Sequence, residues 1–304
     1  MLDSVHVKYL AVNSVDLKWG LAVNSVGYQD ILPGCAYPPK EHPERYLFTY
    51  GRGRVLSEYQ LLYITKGGGL FSSEATGRDK DTRISAGDMF LLFPGVWHTY
   101  RPFEESGWKE HWVGFTGEFM DKLVRNGFFS KEKPVLKVGI HSEITDLYTK
   151  AINIASSQES GFQQALYGIV SHILSLTYYY DKNHPYIESD ISDRINSAKI
   201  IISDKFVTIT PKDVAEAVCM SYSNFRKIFK EYTGFSPAQY IQDVKINKAK
   251  ELLTNTGMTV KEIALTLGYE NNDYFFTAFR KKEACTPQDY RLFTQGEKRK
   301  ETEQ

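Results

Sequence analysis

The chain has 304 residues, 42% hydrophobic and 14% aromatic, enough apolar material for two ordinary domain cores. Its 37 basic and 37 acidic side chains cancel, which excludes both a histone-like basic wrapper and an acidic disordered tail. Three scattered cysteines, Cys35, Cys219 and Cys285, include no C-x-x-C pair; this excludes a disulfide framework and a thiolate zinc site and predicts a reduced, cytoplasmic setting.

The opening MLDSVHVKYLAVNS lacks the basic start, apolar run and cleavage site of a secretion signal. No window reaches the ~20 apolar residues of a membrane span, so no membrane partner is expected. From about Tyr46 to Thr116, short aromatic and β-branched runs alternate with glycine turns, the pattern of a small antiparallel barrel. YQLLYIT (59–65), GLFSS (69–73), TRIS (82–85), DMFLLF (88–93) and EHWVGF (110–115) are its expected strands. Gly67-Gly68-Gly69 lacks the Lys-Ser/Thr of a phosphate loop and reads as a hairpin turn.

Residues 142–180 read as two helices broken near Ser156 to Gly161. In the second, Phe162, Leu166, Ile169, Ile173, Leu176 and Tyr180 recur at four- and three-residue steps. That seam suits either packing onto the barrel or a helix-on-helix homodimer through residues 142–180. A first domain is therefore expected over 1–180, with a polar, proline-terminated linker at 181–190. The remaining 191–304 read as helical and carry 18 basic against 15 acidic residues. The basic residues cluster at Arg226, Lys227 and Lys230, at Lys245, Lys248 and Lys250, and at Arg280, Lys281 and Lys282.

This second half contains a repeat of about fifty residues. Asp213-Val214-Ala215 aligns with Glu262-Ile263-Ala264, and the stretch from Phe229 to Tyr240 with that from Phe279 to Tyr290. Each copy opens on an N-cap with an acid three positions on, Thr210 with Asp213 and Thr259 with Glu262. A short helix with a central alanine follows, then a turn at Cys219-Met220 or Gly268-Tyr269. A second helix follows, with apolar Phe225, Ile228 and Phe229, or Tyr274, Phe275 and Phe279. This is the helix-turn-helix plan, expected at about 211–233 and 260–283. Pro237 to Leu253 reads as one spacer helix of ~24 Å, suited to holding two recognition helices apart.

The C-terminal hundred residues resemble the DNA-binding domain of the AraC/XylS family of bacterial transcription regulators. The likeness rests on Gly234-x-Ser236-Pro237-x-x-Tyr240, Ala249-x-x-Leu252-Leu253, Ile263-Ala264-x-x-x-Gly268-Tyr269, Tyr274-Phe275-x-x-x-Phe279-Arg280-Lys281 and Thr286-Pro287-x-x-Tyr290-Arg291. Two departures are Lys245-Ile246, where the family has an Arg-Leu pair, and Ala284, where it usually has glycine. A left-handed cap at Ala284 would be strained by about 1 kcal/mol. The N-terminal half resembles the family's cupin-like sensing barrel through Leu61 to Thr65, Gly87 to His98, and Trp108-x-x-x-Trp112-x-x-Phe115-x-Gly117.

The resemblance implies an α+β chain, with a cupin-like β-barrel and dimerisation helices followed by an all-α domain of two helix-turn-helix units joined by a long helix. It also implies double-stranded DNA, a small-molecule effector, RNA polymerase and a second copy as partners, no cofactor, and activation as the outcome. Positions matching the family's base readers are Ser223, Arg226 and Lys227, then Asn272, Asp273, Phe276 and Thr277. Arg226 offers two donors to guanine, Asn272 suits adenine, and Phe276 or Thr277 suits a thymine methyl. Ser221, Lys230, Lys248, Arg280 and Lys281 are candidate phosphate contacts. A sugar would suit aromatic faces with convergent polar groups, for which Tyr63, Trp97, His98, Tyr100, Trp108 and Trp112 are the candidates. Two alternatives remain open: a ligand-independent dimeric regulator, and a cupin-type metalloenzyme with a DNA-binding tail. The second would need clustered histidines, yet the seven here contain no His-x-His pair. The expected two-state elements are residues 1–45 and the linker.

Overall fold

A computed structural model describes residues 5–39, 46–184 and 190–296. Contacts divide the chain between residues 187 and 188 into two units. The first contains β1 (Val5–Tyr9), α1 (Ser14–Leu17), β2 (Ala22–Ile31), β3 (Tyr59–Ser73), β4 (Thr82–Ser85), β5 (Asp88–Leu92) and β6 (His98–Pro102). β7 (Trp108–Thr116), α2 (Glu118–Arg125), β8 (Val135–Lys137), α3 (Ser142–Ser157) and α4 (Phe162–Asn183) complete it. The strands run in the order β1-β2-β7-β3-β5-β8, and the far half of β3 also pairs with β4 and β6. All pairings are antiparallel.

Two expectations change here. Residues 1–45 are not wholly a segment before the barrel: β1 and β2 are strands of it, with β2 registered against β7 from Ala22 to Ile31. Gly67-Gly68-Gly69 is not a hairpin turn but the corner where β3 passes from one set of partners to the other. A Cβ at Gly67 would stand 2.2 Å from the Gly107 carbonyl oxygen, and one at Gly69 would stand 2.1 Å from that of Arg101. Only a chain without side chains can fold this closely against its neighbours.

Alternation along β3 separates two cores. Leu61 and Tyr63 face a layer completed by α3 and α4, whereas Leu62 and Ile64 face the barrel interior with Phe71, Phe90, Tyr100 and Trp108. The seam of α4 is used within the chain: Leu166, Ile169 and Ile173 are buried in the first of these cores, and α4 packs on α3 and β2. Of the two uses the heptad spacing left open, the seam takes the first, packing onto the barrel. Gln163, on the same helix, is 1% exposed and matches both backbone groups of Val23. Its Oε1 accepts from Val23 N at 2.9 Å and its Nε2 donates to Val23 O at 3.0 Å, where the β2–β7 register slips. A polar residue in an apolar helix here satisfies a bulged strand.

The helix also continues into the expected linker. Asp181 is buried, its Oδ1 accepting from Lys137 N at 2.8 Å and its Oδ2 pairing with Lys133 Nζ at 2.9 Å. Residues 185–189 of the expected linker lie outside the described residues.

The second unit comprises α5 (Ile191–Lys205), α6 (Pro211–Ala217), α7 (Tyr222–Thr233), α8 (Pro237–Asn255), α9 (Val260–Thr266), α10 (Asn272–Glu283) and α11 (Pro287–Thr294). Capping boxes start α6 at Thr210 with Asp213 and α9 at Thr259 with Glu262. The repeat extends to Ser236 with Gln239 at α8 and Thr286 with Asp289 at α11. Ala215 and Ala264 are buried, letting α7 and α10 cross close to α6 and α9. The intervening turns need left-handed backbone: φ is +54° at Cys219 and +75° at Gly268. α8 spans 19 residues, about 28 Å. Its buried Ile246, Ala249 and Leu253 join Ile263, Phe275 and Phe279 in the core of the second copy. Arg291 ties α11 to the end of α8, its Nε donating to Leu253 O at 3.1 Å. Tyr274, read as a core residue, is instead 63% exposed, one position out of phase with Phe275 and Phe279.

Candidate ligand cavity and nucleic-acid interface

β7 carries Trp108, Glu110 and Trp112 at alternate positions, so all three point to one face, into the barrel. A cavity there is lined by Tyr37, Arg54, Gln60, Tyr100, Glu110 and Trp112, among others, and its free volume of about 30 Å³ suits one or two waters. Trp112 packs directly on β2, where a Cβ at Gly27 would fall 2.3 Å from its ring. Arg54 reaches in from the loop before β3. Its guanidinium donates to Tyr100 OH, to Gln60 Oε1 at 3.3 Å and to the Tyr46 carbonyl. It also sits 4.6 Å from the Phe48 ring centroid.

Glu110 is 3% exposed, and burial pushes its carboxyl up to about 8, although the Tyr37 hydroxyl and the Arg54 charge both favour the carboxylate. Tyr37 OH donates to Glu110 Oε2 at 3.0 Å. Trp108 Nε1–H makes no well-formed hydrogen bond among the described residues, yet it too favours the Glu110 carboxylate. His98 stands behind Arg54, its Nε2 3.3 Å from Arg54 Nε and its Nδ1 3.0 Å from Val96 O. Burial and the Arg54 charge bring His98 down to about 3, so its ring is neutral. That leaves Nδ1–H to donate to Val96 and Nε2 to accept from Arg54, an arrangement that aims the guanidinium into the cavity.

Of the aromatic candidates, Tyr100 and Trp112 line the cavity, Trp108 is buried beside it and His98 braces Arg54. Tyr63 is one residue out of phase and faces α3, its hydroxyl donating to Gly139 O at 2.8 Å. Trp97 lies on the outside, its Nε1 donating to Arg52 O at 2.9 Å and its ring beneath Arg78. Sequence reasoning missed Tyr37, Arg54, Gln60 and Glu110. The alternation Trp108-x-Glu110-x-Trp112 was the available signal for Glu110; Tyr37 and Arg54 come from irregular segments and left none. Among the described residues, no group of three or more His, Cys, Asp or Glu side chains is placed to hold a metal ion.

In the helical unit, Phe225, Ile228 and Phe229 anchor α7 and leave Ser223, Arg226, Lys227 and Lys230 exposed on its other side. Phe275 and Phe279 anchor α10 and leave Asp273, Phe276, Thr277 and Arg280 exposed. The two sets share the spacing i, i+3, i+4, i+7 and differ by fifty positions throughout, so each helix shows the same face of its repeat. Asn272 is half-buried and Lys281 exposed. Ser221 precedes α7, and its side chain makes no capping hydrogen bond. Lys248 is half-buried on α8 and paired with Glu251 at 2.8 Å.

Residues 36–173 match the family described as the AraC-like ligand binding domain, and residues 214–292 match a helix-turn-helix domain. The chain is 25% identical over 251 residues to the raffinose operon transcriptional regulatory protein of Pediococcus pentosaceus, covering 80% of this chain and 88% of that one. It is 26% identical over 243 residues to the lactose operon transcription activator of Staphylococcus xylosus, covering 78% and 85%. With the arabinose operon regulatory protein of Escherichia coli it shares 23% identity over 255 residues, 80% and 84% of the two chains. A sensing barrel followed by a duplicated helix-turn-helix unit, in one chain and in this order, places the protein in the AraC/XylS family of DNA-binding transcription regulators.

Proposed function

We propose that this regulator is an activator whose effector is a sugar bound in the barrel, and that it works as a homodimer that contacts RNA polymerase. One observation carries the sugar reading. The cavity sets an aromatic platform, Trp112, beside the convergent hydrogen-bonding groups of Arg54, Gln60, Tyr100 and Glu110. Relatives named for raffinose, lactose and arabinose operons support it, and one of them is named an activator. The free volume of about 30 Å³ favours the rival reading, in which the barrel only dimerises.

On the DNA side, Ser223, Arg226 and Lys227 read bases in one major groove, and Asn272, Asp273, Phe276 and Thr277 in the next. Ser221, Lys230, Lys248, Arg280 and Lys281 hold phosphates. For dimerisation, α4 offers its outer face, where His172, Ser175 and Tyr179 are exposed.

The test is selection of bound duplexes from random sequence by the full chain, with and without raffinose, lactose or L-arabinose. We expect an asymmetric site about two helical turns long. Arg226→Ala should weaken binding by ~1–3 kcal/mol and relax one base position. An unchanged base preference would remove Arg226 from the reading face. Calorimetry with the same sugars, giving no heat from a folded protein, would favour the ligand-independent dimer.

A further inference from the structure

The cavity is small because a side chain already fills it. Tyr37 inserts its ring between Phe48, Tyr100 and Trp108, with ring centroids 6.2, 5.9 and 5.6 Å away, and meets the first and last of these edge-on. Its hydroxyl reaches Glu110, 3.0 Å from one carboxylate oxygen and 3.3 Å from the other. Tyr37 thus presents to the barrel what a cyclic, hydroxylated ligand would present: a six-membered ring against aromatic walls and an O–H directed at the buried carboxyl. The remaining space, about 30 Å³, is far below what a sugar ring occupies.

The segment carrying Tyr37 is suited to leave. Residues 32–36 are exposed, and the segment is tied down by the bond from Gly34 N to Glu104 O at 2.9 Å. It belongs to no strand. Its side-chain contacts with the barrel include the Tyr37 ring and hydroxyl, with Pro38 beside them at the cavity.

Resting on the reading of this cavity as the effector site, we propose that Tyr37 is a built-in surrogate ligand. Its ring and hydroxyl hold the places of the effector's ring and of one effector hydroxyl, so effector entry and departure of the 32–39 segment are a single exchange. The device requires differential affinity: the form with Tyr37 inserted has no room for effector, and the form with Tyr37 withdrawn does. Binding is weakened by the fraction of molecules in which Tyr37 is inserted. Residues 32–39 then adopt two positions that report whether the barrel is filled.

Two variants of the full chain and two probes test this. Tyr37→Ala opens a ring-shaped hole and should bind p-cresol saturably, read by tryptophan fluorescence, whereas wild type should not. Tyr37→Phe keeps the ring and loses the hydrogen bond to Glu110, and should bind whichever of raffinose, lactose or L-arabinose wild type binds roughly two- to tenfold more tightly. Hydrogen exchange at residues 32–39 should quicken when that sugar binds wild type. A folded Tyr37→Ala chain that ignores p-cresol overturns the proposal, as does a sugar whose affinity neither variant changes or one that slows exchange at 32–39. If p-cresol fills the variant and no sugar binds any form, Tyr37 keeps its role and the sugar reading fails.

Discussion

Glu110 carries the cavity's chemistry on a single proton. Its ordinary pKa of 4.5 rises to about 8 in the fold, chiefly because burial disfavours the carboxylate. Between those two values the folded chain holds a proton that the unfolded chain has released, so stability falls as pH rises through this window. His98 and His111 act in the opposite sense and lower down: burial takes them to about 3 and about 4, so both lose stability as pH falls below their ordinary 6.5. At pH 6.5 these two histidines are still about half charged in the unfolded state, so the difference between the protein and a Glu110→Gln variant, in which their contribution cancels, isolates Glu110. We therefore expect the sensing unit to lose up to about 1.4 kcal/mol per pH unit from this group between pH 6.5 and 8. Glu110→Gln should remove that slope. Urea unfolding of both proteins across this range is the measurement, and parallel curves would show that the carboxyl is already ionised at pH 6.5.

At the scale of elements, the repeat contains its own control for helix termination. α7 ends at Gly234 with φ +78°, and α10 ends at the equivalent Ala284 with φ +56°, a left-handed residue that carries a Cβ. Ala284→Gly should raise the stability of the helical unit by about 0.5–1 kcal/mol, since relief of strain outweighs the added freedom of the unfolded chain. Calorimetry of the full chain would read this as a higher midpoint for that unit alone; an unchanged midpoint would mean the cap is unstrained. The strain was legible in the sequence because helix signals are local. Thr210 with Asp213 and Thr259 with Glu262 act within four residues, so each marks the start of its helix in the sequence itself. The barrel was less legible for physical reasons. β2 is buried on both faces and interrupted by Asn24, Ser25 and Gln29, so it lacks the alternation that marks a half-exposed strand. Gly67 to Gly69 suggested a turn because close approach of distant backbone leaves the same composition as a sharp bend. Glu110 could have been found from its phase with Trp108 and Trp112, whereas Arg54 and Tyr37 owe their positions to contacts remote in sequence.

Across the whole molecule the formal charge is zero, so net charge supplies no general attraction to DNA, and any salt dependence must come from local surfaces. The basic clusters of the helical unit are not equivalent in this respect. Lys282 contacts Asp243, Lys250 pairs with Glu283 at 3.1 Å and Lys248 with Glu251 at 2.8 Å, so these ammonium groups are partly committed. Lys230, Arg280 and Lys281 are exposed and form no ion pair among the described residues, and they lie on or beside the two matched faces. A lysine that displaces counterions from a phosphate contributes about 0.9 to the slope of log affinity against log salt. Lys230→Ala should therefore flatten that slope by about 1 and weaken cognate and random duplexes alike. Lys282→Ala should flatten it by much less, because that charge is already balanced by Asp243. Anisotropy titrations of the full chain between roughly 50 and 200 mM salt separate the two. Equal losses in both variants would mean that the Lys282–Asp243 pair opens on DNA, and a loss confined to the cognate sequence would move Lys230 from the phosphates to the bases.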